Sequence, residues 1–209
     1  MMAKDRKKDL EEQIKEFSIL AKAFGETGQK IILLQKIFTL LNTSFCLHEL
    51  LDKILDCIVE VIEVEAGSIL LFDKEKNDLY FEAAKGNKAK EVMQFRLKIG
   101  EGIAGSVFLS QEPITVSEVA KDKRFKKEIS EKIGLETKSI ACVPIVLMNK
   151  SIGVIEVINK RNNDIFSASD QEILTMAAYY TAKIIQNTKI IENLKKKIKS
   201  KKEGGNSEH

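Results

Sequence analysis

Histidine, cysteine and proline are scarce in this chain: 209 residues contain two histidines, three cysteines and two prolines. With only His48 and His209, neither a histidine metal site nor a histidine general base is expected, and a haem or iron role has little to rest on. Cys46, Cys57 and Cys142 form no metal-like pair and no disulfide framework. Cys57 and Cys142 sit in apolar surroundings, where inert buried thiols are expected. The longest apolar run, residues 140–148, is far too short for a membrane span and contains Pro144. The first six residues lack the apolar core of a secretory signal. Together these absences lead to an expectation of a cytoplasmic protein with no catalytic residue, no metal and no cofactor.

Hydrophobic residues make up 44% of the chain and charged ones 31%, with a net charge of +3. That balance fits a globular domain with a well-charged surface and requires no acidic partner. Residues 4–24 carry Leu10, Ile14, Phe17, Ala21 and Phe24 at alternating spacings of four and three, a heptad seam. Gly25 and Gly28 predict a bend or phase slip, after which Ile31, Leu34, Phe38 and Leu41 form a second apolar face. Residues 42–44 read as a cap or loop. Residues 47–62 form a helix with one broad apolar face, suited to packing on a sheet.

Strands are expected at 68–72 and 79–84, joined by a polar hairpin turn, and at 95–99, 114–116, 139–147 and 151–158. Pro113 and Pro144 punctuate strand edges. A short helix is expected at 103–110 after the turn Gly100-Glu101-Gly102, and irregular helical structure at 122–135. Strands in hairpins with helices at both chain ends indicate an α+β domain built on an antiparallel sheet. The last helix keeps its four–three alternation through Ile173, Ala177, Tyr180, Ile184, Asn187, Ile191, Leu194 and Ile198. Its first half can pack on the sheet, and its second half needs another helix, which predicts a homodimer or a pairing of first and last helices. Residues 195–202 are dense in lysine, read as a solvated helix end without the interleaved aromatics of a base-stacking surface. The last seven residues read as a disordered tail.

A strand rich in β-branched residues ends at Asn159-Lys160 and is followed by Phe166-Ser167-Ala168-Ser169-Asp170, with overlapping capping signals Ser167-x-x-Asp170 and Ser169-x-x-Glu172. Asn-Lys, a spacer, then Phe-x-x-x-Asp resembles the signature of GAF domains in cyclic-nucleotide phosphodiesterases and adenylyl cyclases, with Gln171 in place of the final glutamate. The resemblance spans residues 47–189. It includes Glu65-Ala66-Gly67-Ser68-Ile69-Leu70-Leu71-Phe72-Asp73, Gly100-Glu101-Gly102-Ile103-Ala104-Gly105, Lys121-Asp122-Lys123-Arg124-Phe125, Val143-Pro144-Ile145 and Ile152-Gly153-Val154.

It implies a GAF (PAS-like) fold with a central antiparallel sheet of about six strands and helices packed on it, flanked by long coiled-coil-type helices. The chain then divides into an N-terminal helical segment (1–42), a sensory domain (43–189) and a C-terminal helix extension with a basic tail (190–209). The resemblance implies ligand contacts at Ser68, Ile103, Ala104, Thr137 and Glu156. Amides at a helix start after a glycine turn suit an anion. Asn159, Lys160, Phe166 and Asp170 form the corner motif, with Lys160–Asp170 as either an exposed ion pair or a structural latch, the second being preferred. Positions where family members carry base-reading acids hold Lys85, Ser130 and Ile133 here, which weakens the case for cGMP and leaves cAMP, another metabolite or an empty pocket open. Arg124 and Lys126 near the lid suit an anionic ligand or simple solvation.

The expected function is a small-molecule-sensing, homodimerising signalling module that passes ligand state to an output protein in trans. The alternatives are a structural dimerisation module without a ligand and a small GAF-fold enzyme, which would lack its pocket cysteines.

Overall fold

Alternation along six strands divides the chain's apolar residues between two faces of one sheet, and the two faces are covered differently. The computed structural model describes residues 25–41 and 46–204. Its helices are α1 (Gly25–Leu41), α2 (Leu47–Ile62), α3 (Ala89–Val92), α4 (Gly102–Ser110), α5 (Lys127–Ile133) and α6 (Ala168–Gly204). Its strands are β1 (Val64–Asp73), β2 (Asp78–Lys85), β3 (Arg96–Lys98), β4 (Ile114–Val116), β5 (Ile140–Leu147) and β6 (Lys150–Lys160). They pair antiparallel in the order β3-β2-β1-β6-β5-β4. This is the expected α+β architecture. The predicted helix over 4–24, the loop at 42–44 and the last five residues of the tail lie outside the described residues.

One face of the sheet carries Ile69, Ala141, Val143, Ile145, Ile155 and Val157 against helices α1, α2 and α6. In α2 the apolar positions three and four apart bury Leu51, Ile54, Leu55 and Ile58 completely, each stabilising by about 1.5–3 kcal/mol relative to exposure. The other face carries Leu70, Leu79, Phe81, Ile140, Cys142 and Val154 against α4 and the segment between β4 and β5. Ala141 and Val143 thus point to the helices while Ile140 and Cys142 point the other way, as a period of two requires.

The structure corrects one expectation about α1. Gly25 has φ +58° at the helix start, and Gly28 lies within the helix, buried. Both glycines fall in the first turn of the described helix, and the expected bend toward residues 4–24 lies outside the described residues. The buried stripe is Ile32, Leu33 and Ile37, whereas Ile31 is 41% exposed. The helix contacts both α2 and α6, so its burial follows the cleft between two neighbours and not a single apolar line.

Helix α6 runs on past the sheet. Ile173, Ala177 and Ile184 of its seam are buried, while Asn187 is exposed and Ile190 and Ile191 are 50% and 51% exposed. Among the described residues no helix is long and apolar enough to cross a membrane.

Candidate functional site

The turn before α4 is built by conformation. Gly100 and Gly102 have φ +80° and +68°, values that cost a residue with a Cβ. The close seat of the helix on the turn depends on Gly105, where a Cβ would lie 2.7 Å from the Lys98 carbonyl oxygen. Glu101, between the two glycines, accepts hydrogen bonds from the Lys98 amide at 3.0 Å and from Lys126 Nζ at 2.9 Å. Lys126 and then the Lys98 amide hold the Glu101 carboxyl below its usual range. Lys126 precedes α5, so this pair fastens one side of the segment that covers the sheet.

That covering segment has two further fastenings. The Val119 amide donates to the Lys138 carbonyl at 3.0 Å, closing the loop at its base. The Ser130 and Thr137 hydroxyls meet at 3.2 Å, on either side of Gly134 with its φ of +65°. Arg124 does not reach inward: its amide, Nε and NH2 group all bond to Asp122. The two basic residues expected to suit an anionic ligand are therefore both engaged by acids of the chain.

Between sheet and cover lies a cavity of about 80 Å³, partly open to solvent. Ile103, Ala104, Thr137 and Glu156 all line it. Ser68 lies one step along, on an adjoining cavity of about 30 Å³ that shares Phe81, Val92, Leu135, Glu156 and Ile158 with the first. Lys85 also lines that second space, but its amine is held by Asp52 at 2.8 Å and Asp56 at 2.9 Å. The apolar walls, which include Phe125, Ile129 and Leu135, were not foreseen. They sit in a stretch without a clean period, and only the pairing of Ile129 with the following Gly134 cap hints at an inward face.

Glu156 is the one acid among the residues lining the larger cavity. It lies on β6 between Val154 and Ile158, which face the same way, opposite Ser68 on β1 and Cys142 on β5. Desolvation pushes its carboxyl up to about 7. Cys142 is fully buried beside it, and burial followed by the nearby carboxylate pushes the thiol well above its usual range. Cys57, on the helix-covered face, is raised to about 11, mainly by burial. Cys46 is exposed. Among the described residues no three His, Cys, Asp or Glu side chains gather as metal ligands.

The corner after β6 joins the cover to α6. Asn159 is buried, with φ +56°. Its carboxamide oxygen accepts from the amides of Lys138 at 2.8 Å and Ser139 at 3.3 Å. Its nitrogen donates to Glu65 Oε2 and the Glu136 carbonyl, both at 2.8 Å. Lys160 Nζ lies 2.5 Å from Asp170 Oδ1, with side chains 15% and 3% exposed. The pair is thus buried at the corner, which removes the surface alternative.

Asp170 Oδ2 accepts from the Ser167 amide at 2.7 Å, and the Asp170 amide donates to Ser167 Oγ at 3.1 Å. This completes the Ser167 capping box. The second predicted box does not form: the helix begins at Ala168, two residues too early for a Ser169 cap, and Ser169 Oγ is buried without a hydrogen-bond partner. Phe166 is buried in the core below. Gln171, at the signature's last position, accepts from Thr115 Oγ1 at 2.9 Å, so the amide ties edge strand β4 to α6.

The family model of the GAF domain matches residues 47–186. A probable 3',5'-cyclic phosphodiesterase of Caenorhabditis elegans is 23% identical over 153 residues, which is 69% of this chain and 21% of the relative. The dual 3',5'-cyclic-AMP and -GMP phosphodiesterase 11 of Drosophila melanogaster is 29% identical over 164 residues, 72% of this chain and 11% of that protein. The chain thus matches only a small part of each relative's length. Among solved structures, the GAF domain of a phosphoenolpyruvate-protein phosphotransferase from Coxiella burnetii superposes with a TM-score of 0.71 at 20% identity, covering 79% of this chain and 97% of that one. This likeness establishes the shared fold.

Proposed function

Because the chain belongs to the GAF domain family, we propose that it is a small-molecule-sensing module, not an enzyme, that dimerises through its flanking helices and hands ligand state to an output protein. One observation carries this reading: a cavity between sheet and cover whose lining includes a carboxylate without a partner among the described residues. Glu156 is half-buried, and a carboxylate drawn out of water without a partner is costly, a cost that a bound ligand would offset. Ser68, Ile103, Ala104, Thr137 and Glu156 are the proposed ligand contacts. Cyclic nucleotides are the first ligands to test, since the relatives are named as cyclic phosphodiesterases. The exposed Ile190 and Ile191 on a helix that has left the sheet support a second copy as the partner of α6. A cytoplasmic setting suits a module of this kind.

The mechanism requires the ligand to bind one arrangement of the cover more tightly than another. The Asn159 hydrogen bonds and the Lys160–Asp170 pair join the cover's exit to the first turn of α6, so they are the proposed route between cavity and helix. Titration with cAMP and cGMP tests the reading. A ligand at a hundred times its Kd should stabilise the fold by about 2.7 kcal/mol and raise the melting temperature with concentration. A melting temperature indifferent to both, with no heat of binding, would count against cyclic-nucleotide sensing.

A further inference from the structure

The Glu156 carboxylate offers acceptors to the cavity it lines. Among the described residues it has no hydrogen-bond or ion-pair partner. The surrounding cations are already engaged: Lys85 with Asp52 and Asp56, Lys88 with Glu91 at 3.5 Å, and Lys126 with Glu101. Its register neighbours are the hydroxyl of Ser68 and the thiol of Cys142. The walls beside it, Phe81, Ile140 and Ile158, are apolar and suit the faces of a flat group. An ionised carboxylate presents two coplanar acceptors, and the group that meets both at once is a planar fork of two N–H donors. An anionic head would be repelled at this point.

We propose that the ligand of this cavity presents a planar pair of N–H donors, the edge of an amidine, a guanidine or a 2-amino-6-oxopurine, to the carboxylate of Glu156. This rests on the ligand-sensing reading of the same cavity and narrows it to a chemical class. The fork needs the ionised carboxylate. Of the groups facing Glu156, Ser68 does not titrate near neutrality, the Cys142 thiol is held well above its usual range, and Lys85 and Lys126 are raised further. Affinity should therefore fall as pH drops through the Glu156 value of about 7. Between pH 8 and pH 6 the ionised fraction falls about tenfold.

The test is calorimetric titration of the full chain at pH 8 and pH 6. Benzamidine and cGMP carry the fork, while benzyl alcohol and cAMP are their counterparts without it. The expected result is binding by at least one fork-bearing probe, about tenfold weaker at pH 6, and no comparable binding by its counterpart. Benzamidine alone would identify a free amidine or guanidine as the source of the fork, and cGMP alone the purine edge. Glu156→Gln, nearly isosteric, should weaken that binding at least tenfold and remove its pH dependence while the circular dichroism spectrum stays unchanged. Equal binding by a counterpart, the opposite pH trend, or unchanged affinity in Glu156→Gln would each overturn the assignment. Binding of cAMP without either fork-bearing probe would overturn it and leave ligand sensing standing. Silence from all four compounds would remove both.

Discussion

Glu156 links the chemistry of the cavity to the stability of the fold. Burial pushes its carboxyl from the ordinary 4.5 up to about 7, so between those values the native state holds more protons than the unfolded chain. Folding stability must then decrease as pH rises through this window. Glu156→Gln removes the penalty. In urea unfolding the variant should exceed the wild type by about 1–3 kcal/mol at pH 8, and the difference should close below pH 5. A variant less stable than wild type at pH 8 would show that the carboxylate has a partner in the fold. The sequence marked this residue because a charge interrupts Gly153-Val154-Ile155-Glu156-Val157-Ile158. It did not mark the walls. Phe125, Ile129 and Leu135 belong to a covering segment whose shape is set by contacts and caps, not by a repeating period.

Among the elements, the strand–helix corner carries the clearest energetic claim. Asp170 is almost wholly buried, Lys160 nearly so, and the same aspartate completes the cap of α6. Lys160→Ala should therefore cost about 3 kcal/mol or more, since it leaves a buried carboxylate without its cation. A double-mutant cycle of Lys160→Ala and Asp170→Ala, followed by urea unfolding, should give a coupling above about 1 kcal/mol, beyond the range of exposed pairs. Coupling near zero would return the pair to the surface class. The corner's existence was legible from its residues, but its register was not. Ser167-x-x-Asp170 and Ser169-x-x-Glu172 are equivalent as patterns, and only the helix start at Ala168 chooses between them. The stripe of α1 was misread for a related reason: a helix lodged between α2 and α6 is buried along a cleft that its own periodicity does not encode. By contrast α2, the β1–β2 hairpin and the β5–β6 hairpin follow the sequence closely, because each has one wet and one dry side, or ends at a clear turn.

On the scale of the whole molecule, the two faces of the sheet have different tasks. The face under α1, α2 and α6 is filled by apolar side chains; the other keeps space beneath its cover. Helix α6 then leaves the domain with Ile190 and Ile191 uncovered. Replacing both with lysine should shift the chain from dimer to monomer in light scattering at micromolar concentration, with little change in the melting of the sheet. A wild-type chain that is already monomeric would remove the proposed helical partner. The most direct test of the receptor claim is native mass spectrometry of the gently purified chain, alone and after incubation with cAMP, cGMP or benzamidine. The account predicts a dimer carrying one added small molecule per chain. A bare monomer under every condition would contradict it.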